Sequence, residues 1–241
     1  DLNSVFEIIN KVQPQIIINT AAYTAVDDAE NDPDTAMAIN ANALLPIVRY
    51  CKLNNKTLLH FSTDYVFNGK KNFPYDENDI CDPLNQYGYS KLSGERIILE
   101  YAYGTRKNFN APKFCFYILR SSWFYGAGDN FILKILNLAK KKDQLEIVSD
   151  QFGVPTSTNW LAALSLCILK QQDMPSGIYH AVPAGRTNWY EISKFVIEYA
   201  INLGMKFKLD LNKIYPIAAS EYPILANRPK NSCLSAQKLI A

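Results

Sequence analysis

Apolar and polar positions follow two rhythms along this chain. Val5, Ile8, Ile9 and Val12 recur at the helical period behind Asp1, a residue suited to an N-cap. Pro14 interrupts them, and the apolar run "QIIIN" (15–19) predicts a short strand buried on both faces. Turn residues then predict a loop, followed by one long helix over 33–55 that starts near Pro33 or Asp34. "KTLLHFSTDYVF" (56–67) predicts a second buried strand with a polar end, and a long loop leads to a helix opening at "QYGYSKLSGE". "KFCFYILRSSWFYG" (113–126) predicts a third strand with a polar tip. The order α-β-α-β-α-β implies a parallel sheet with helices on both faces, where function collects just past the strand C-termini. The three tips "NTAAYT", "STDYVF" and "SSWFYG" are rich in hydroxyls and aromatics, unlike plain connections.

The second half is more mixed. A helix capped by Asp129 or Asn130 runs into Lys140–Lys142, whose charges complement its C-terminus. A strand and turn in "QLEIVSDQFGVPTST", a helix over 159–172 and a strand at 177–182 follow. The last long helix places Trp189, Ile192, Val196 and Tyr199 on one face and stops at Gly204. The expected division is a nucleotide-cofactor domain over 1–125 and, over 126–241, a mixed region with substrate-binding and remaining sheet elements.

Composition narrows the chemistry. The 241 residues carry a net charge of +2, too little to suggest a nucleic acid or an anionic membrane as partner. No apolar run reaches the length of a membrane span, and no signal peptide is visible. Five cysteines with no Cys-x-x-Cys spacing argue against a disulfide framework and a structural zinc site, so a reduced, cytoplasmic setting is expected. Two widely separated histidines, His60 and His180, leave little for metal or His-based chemistry.

Tyr-x-x-x-Lys, the spacing that puts a phenol and an ammonium on one helix face, occurs three times: Tyr87/Lys91, Tyr103/Lys107 and Tyr190/Lys194. The pattern alone cannot choose among them. Tyr190/Lys194 sits in an amphipathic helix and reads as structural. Tyr103/Lys107 lies in "YGTRKNFNAP", whose Gly, Asn and Pro predict a loop. Tyr87/Lys91 opens a helix directly after "DPLN" and follows the tip "STDYVF".

The ordered set "NTAAYTAVDDAE", "INANA", "FSTDYVFNG", "PLNQYGYSKLSGE", "RSSWFYG", "DQFGVPT", "GIYH" and "NRPKNS" resembles the dTDP-4-dehydrorhamnose reductase family of the extended short-chain dehydrogenase/reductases. The resemblance spans almost the whole chain. It implies a Rossmann-like α/β fold and reduction of a C4 ketone on a nucleotide-linked deoxyhexose by NADH or NADPH. It implies Tyr87 as general acid, Lys91 as the ammonium that lowers the Tyr87 pKa and meets the nicotinamide ribose, and Thr63 as donor to the substrate carbonyl. Asp64 and Trp123 match sugar-contacting positions, and Ala22, Tyr23 and Thr24 match cofactor contacts alongside Tyr87 and Lys91. Asp64 as a turn cap and Trp123 as a core aromatic stay open. Asn19 and Asn40 read as loop-ordering residues, and Arg228 as a diphosphate contact or a structural ion pair. Some relatives use Mg²⁺ at a dimer interface, but no metal site can be placed on this sequence; a homodimer stays open.

The Gly-rich loop that would precede Asp1 in this family is not in the sequence, and the expectation is a fragment of a longer reductase in which "QIIIN" forms an exposed apolar edge. Two alternatives stand beside the leading one: a reductase of another nucleotide-linked deoxysugar, and a non-catalytic subunit like the β subunit of methionine adenosyltransferase, which shares the "STDYVF" and "YGxxK" motifs.

Overall fold

The computed structural model describes residues 2–104, 112–171, 173–223 and 225–240. Helix α1 (Leu2–Val12) leads to strand β1 (Ile16–Asn19), and short helices α2 (Asp28–Asn31) and α3 (Pro33–Met37) follow. A π-helical turn over Ala38–Asn42 joins α3 to α4 (Leu44–Asn54). The single helix expected over 33–55 is thus interrupted. β2 (Thr57–Thr63) runs into a 3-10 turn at Asp64–Val66, α5 spans Gln86–Tyr103, and β3 spans Phe116–Ser121. Then come β4 (Phe124–Tyr125), α6 (Phe131–Lys141), β5 (Leu145–Val148), β6 (Phe152–Gly153), β7 (Thr156–Ser157) and α7 (Thr158–Lys170). The chain closes with β8 (Gly177–His180), β9 (Thr187–Asn188), α8 (Trp189–Asn202), β10 (Ile214–Ile217) and α9 (Gln237–Ile240).

The main sheet is parallel, in the order β1-β2-β3-β8. Strand alternation divides its side chains between two cores. Leu58, Phe116 and Ile118 face α1, α4 and α5, packing with Leu44, Val48 and Ile98. Leu59, Tyr117 and Leu119 face α7, packing with Leu161 and Ile168. All six residues of β3 are buried, because helices cover it on both faces and strands flank it on both sides. Each fully buried Leu or Ile contributes roughly 1.5–3 kcal/mol, so this sandwich fixes the strand tips that carry the site.

β1 corrects the expectation of a strand buried on both faces. It is an edge strand with β2 as its partner, and Ile16 and Ile18 are each 44% exposed. The exposed apolar edge expected from the sequence is therefore present among the described residues. The apolar stripe of α1 is covered only in part: Ile9 is buried, while Ile8 and Val12 lie open.

The second half builds a smaller unit around Ile135, Ile147, Ile197, Leu209 and Ile214, contributed by α6, β5, α8, the segment after α8, and β10. β8 returns from it to the main sheet. β10 lies outside the elements read from the sequence; its parallel pairing with β5 leaves it at the edge of a two-stranded sheet, where Pro216 is tolerated. Helix α8 is rotated from the expected stripe: Ser193, Ile197 and Ala200 face inward, and Tyr199 is exposed, stacked on Phe195. Gly204 ends the helix as expected, at φ +88°. Tyr103 closes α5 rather than lying in a loop, and Lys107 lies outside the described residues. The strand expected over 113–126 stops at Ser121, and Phe124–Tyr125 pairs instead with β7.

Candidate functional site

Three strand ends gather at one rim of the sheet: Asn19 on β1, Thr63 on β2 and Ser121 on β3, the last two register partners. Helix α5 delivers Tyr87 and Lys91 to the same rim. Asn85 caps it by accepting the Gly88 N–H at 2.8 Å, and its own amide donates to the Asn227 carbonyl at 2.8 Å. Two glycines let α5 approach closely. A Cβ on Gly88 would stand 2.3 Å from the Tyr65 carbonyl oxygen, and one on Gly94 would stand 2.3 Å from that of Asn40. The "YGYSKLSG" stretch is thus shaped by backbone contact as well as by side-chain chemistry.

Lys91 is 2% exposed, and its ammonium donates to the Phe61 carbonyl of β2 at 2.6 Å. Burial pushes its pKa down to about 8, and the Glu95 carboxylate one turn on opposes that fall. Tyr87 keeps part of its surface open, and its ring meets Tyr65 edge-on at 5.9 Å. Desolvation pushes its phenol up to about 12; a hydrogen bond with Thr63 lowers it, and the Asp64 charge raises it. This departs from the expectation that Lys91 lowers Tyr87, because desolvation is the largest influence and the ammonium is engaged by Phe61.

Thr63 and Asp64 are both buried. The Thr63 hydroxyl lies 2.9 Å from Asp64 Oδ1 and accepts the Tyr65 N–H at 3.2 Å, starting the 3-10 turn. Burial drives the Asp64 carboxyl from its ordinary 3.8 up to about 7. Thr63, Asp64 and Tyr87 therefore converge, and Lys91, one turn along α5, is anchored on the Phe61 carbonyl of the same strand.

Ala22, Tyr23 and Thr24 follow β1 on a segment that Asn19 and Asn40 hold. Ala21 N–H donates to Asn19 Oδ1 at 3.2 Å, and Tyr23 N–H donates to Asn40 Oδ1 at 2.8 Å. The Asn40 amide donates back to the Tyr23 carbonyl at 3.1 Å and to Ser90 Oγ at 2.8 Å; Ser90 in turn donates to the Tyr87 carbonyl at 2.8 Å. Asn40, 1% exposed on the π-helical turn, thereby ties the β1 tip to the first turn of α5, which carries Tyr87. Beyond Tyr23, Thr24 and Ala25 line a 790 Å³ cavity shared with Asp129, Asn130, Lys134 and Lys141.

Trp123 stands just past β3, at φ +45°, a strained conformation for a bulky residue. Its indole stacks on Trp189 with centroids 3.5 Å apart, and a Cβ on Gly153 would stand 2.4 Å from it. Trp189 also lines an 820 Å³ cavity with Phe131, Ile147, Gln151 and Arg228. Arg228 makes a two-pronged pair with Asp27 at 3.0 and 2.7 Å, so it is an ion-pair residue that also faces a cavity.

The sequence reading missed a buried network behind Lys91. Arg120 grips Glu95 through two N–H donors at 2.9 and 2.7 Å, and the Ser62 hydroxyl donates to Glu95 at 2.5 Å. The available signal was Glu95 one helical turn beyond Lys91. Both histidines are buried and neutral: desolvation lowers His60 well below its ordinary value and His180 to about 3. All five cysteines are free. Among the described residues no cluster of three or more His, Cys, Asp or Glu could hold a metal, and no helix is long and apolar enough to cross a membrane.

The family model for the RmlD substrate binding domain matches residues 1–241. A dTDP-4-dehydrorhamnose reductase of Escherichia coli K12 is 38% identical over 238 residues, covering 97% of this chain and 75% of that one. A solved dTDP-4-dehydrorhamnose reductase from Clostridium acetobutylicum is 32% identical, with a TM-score of 0.87 over 100% of this chain and 78% of its own. Another, from Bacillus anthracis in complex with NADP, is 31% identical with a TM-score of 0.86 over the same shares.

Proposed function

This chain belongs to the dTDP-4-dehydrorhamnose reductase family, and from that premise we propose the division of labour in its site. The chain is an oxidoreductase that reduces the C4 ketone of dTDP-4-dehydro-L-rhamnose to dTDP-L-rhamnose with NADPH or NADH. The observation that carries the assignment of residues is the meeting of Thr63 and Tyr87 at the C-terminal rim of a parallel sheet, with Lys91 one turn along α5 anchored on the Phe61 carbonyl of the strand that carries Thr63.

The cofactor is an anionic dinucleotide, and the residues present fit it. Thr24 and Ala25 open onto a cavity that carries Lys134 and Lys141, and Lys91 uses one of its three N–H donors among the described residues. Ala22, Tyr23 and Thr24 would hold the cofactor from the β1 tip, with Lys91 on its nicotinamide ribose. When bound, it supplies the hydride.

The remaining chemistry belongs to the protein. Reduction of a ketone leaves charge on oxygen, and that oxygen needs a proton. Tyr87 gives its phenol proton there as general acid. Thr63 donates a hydrogen bond to the same oxygen as charge develops. Trp123 offers the sugar a half-exposed edge while its other surface is stacked on Trp189. The 820 Å³ cavity lined by Trp189, Gln151 and Arg228 has the size and mixed character for the nucleotide part of the substrate. A cytoplasmic setting and a homodimer belong to this proposal as well.

The test is oxidation of NADPH or NADH by the full-length protein with dTDP-4-dehydro-L-rhamnose. Turnover that drops sharply in Tyr87→Phe is expected. No turnover, together with tight binding to a partner enzyme, would sink the reading in favour of a regulatory subunit.

A further inference from the structure

Thr63 has one proton and two claimants for it. A hydroxyl offers one donor and two lone pairs. One lone pair takes the Tyr65 N–H, and the same oxygen lies 2.9 Å from Asp64 Oδ1. A carboxylate has no proton to give, so while Asp64 is ionised the proton in that contact is Thr63's. Thr63 then has nothing left to donate to the phenol oxygen of Tyr87 or to a developing alkoxide. When Asp64 carries a proton the contact can run the other way. The carboxyl donates, Thr63 fills its second lone pair, and its hydroxyl proton is free to turn toward the reacting oxygen.

We propose that Asp64 is a positioning residue whose protonation sets the direction of the Thr63 hydroxyl, so that Thr63 is a competent donor only while Asp64 is a carboxylic acid. This rests on the reading of Thr63 as a donor to the substrate oxygen. Burial and the lack of a nearby cation among the described residues favour the acid form. Asp64 is 2% exposed, and its Oδ2 has no hydrogen-bond partner among the described residues. The hydroxyls of Ser232 and Thr63 and the backbone N–H groups of Asp64 and Tyr65 favour the carboxylate, but burial outweighs them, and the Ser232 proton goes to the Phe152 carbonyl at 3.2 Å. The ionisable groups that face Asp64 are the phenols of Tyr65 and Tyr87 and the thiol of Cys233, and each of these is held in its neutral form by burial. Arg228, beside Tyr65, is committed to Asp27, and Arg186, near Cys233, lies 3.9 Å over the Phe152 ring. The displacement of the Asp64 carboxyl to about 7 agrees with that geometry.

Infrared spectroscopy of the full-length protein, free of ligands, reads the carboxyl directly. A protonated-acid carbonyl band should be present at pH 5, be lost as pH rises through about 7, and be absent in Asp64→Asn. Thr63→Val should shift the band, which assigns it even should Asp64→Asn not fold. In turnover, wild-type kcat should fall about tenfold per pH unit above the transition. Asp64→Asn, neutral at every pH and able to donate an amide N–H to Thr63, should lose that limb. A band that titrates near pH 4, or an Asp64→Asn profile with the wild-type limb intact, overturns the proposal. Turnover indifferent to Thr63→Val overturns the reading of Thr63 beneath it, and does so whatever the infrared titration shows.

Discussion

Helices α5 and α8 carry the same nine-residue pattern and use it differently. Both begin after an asparagine cap, Asn85 and Asn188, and both read Tyr-x-x-x-Lys-x-x-x-Glu: Tyr87, Lys91 and Glu95 in one, Tyr190, Lys194 and Glu198 in the other. In α8 the lysine is exposed and folds back over the Tyr190 ring at 5.4 Å, and Glu198 is exposed. In α5 the lysine and glutamate are 2% and 1% exposed and are bonded to Phe61, Ser62 and Arg120. Spacing places three groups on one helix face. What lies opposite that face decides whether they are solvated or made to work.

The comparison can be broken in four places. Tyr87→Phe should lower kcat by about 10²–10⁴-fold, the usual reach of a general acid, while Tyr190→Phe should leave it within about twofold; equal losses in the NAD(P)H oxidation assay would end the distinction. Glu95→Ala strands Arg120 and should cost about 3–5 kcal/mol in urea unfolding. Glu198→Ala should cost about 0.5 kcal/mol or less, and matching losses would show that the buried network is not what sets α5 apart.

The third test is one of pH. The folded pKa of Lys91 is depressed to about 8 from its ordinary 10.5, so between those values the unfolded chain binds more protons. Stability therefore rises with pH across that window and is lost as pH falls toward 8, by roughly 3 kcal/mol in all. The stability of Lys91→Met relative to wild type should shrink over that interval, and parallel unfolding curves would contradict the burial argument. The smallest contrast is in the caps. Asn188→Ala should cost about 1 kcal/mol, and Asn85→Ala somewhat more, since it also releases the Asn227 carbonyl. Thermal melts yielding a larger loss for Asn188→Ala would reverse that order.

The sheet was legible because β2 and β3 are continuous apolar runs, and only strands covered on both faces need them. β1 has the same composition but is an edge; composition cannot report how many neighbours a strand has. The helix over 33–55 was legible in extent but not in its break, since the π-helical turn serves a tertiary purpose, the reach of Asn40 to Tyr23 and Ser90. Tyr87 and Lys91 could be singled out by their position after a strand tip. Glu95 and Arg120 could not be paired, because 25 residues separate them and their contact exists only once α5 lies on β3.

The stacked indoles of Trp123 and Trp189 have an optical consequence. The chain holds three tryptophans, and two of them lie nearly parallel with their centres 3.5 Å apart. Chromophores that close share their excited states, so the pair should produce a split signal in near-ultraviolet circular dichroism. One partner follows β3 and the other opens α8, so the strength and sign of that signal depend on how the two halves of the molecule are turned against each other. The protein thus contains its own unlabelled gauge of that angle, readable in solution while a nucleotide sugar is added.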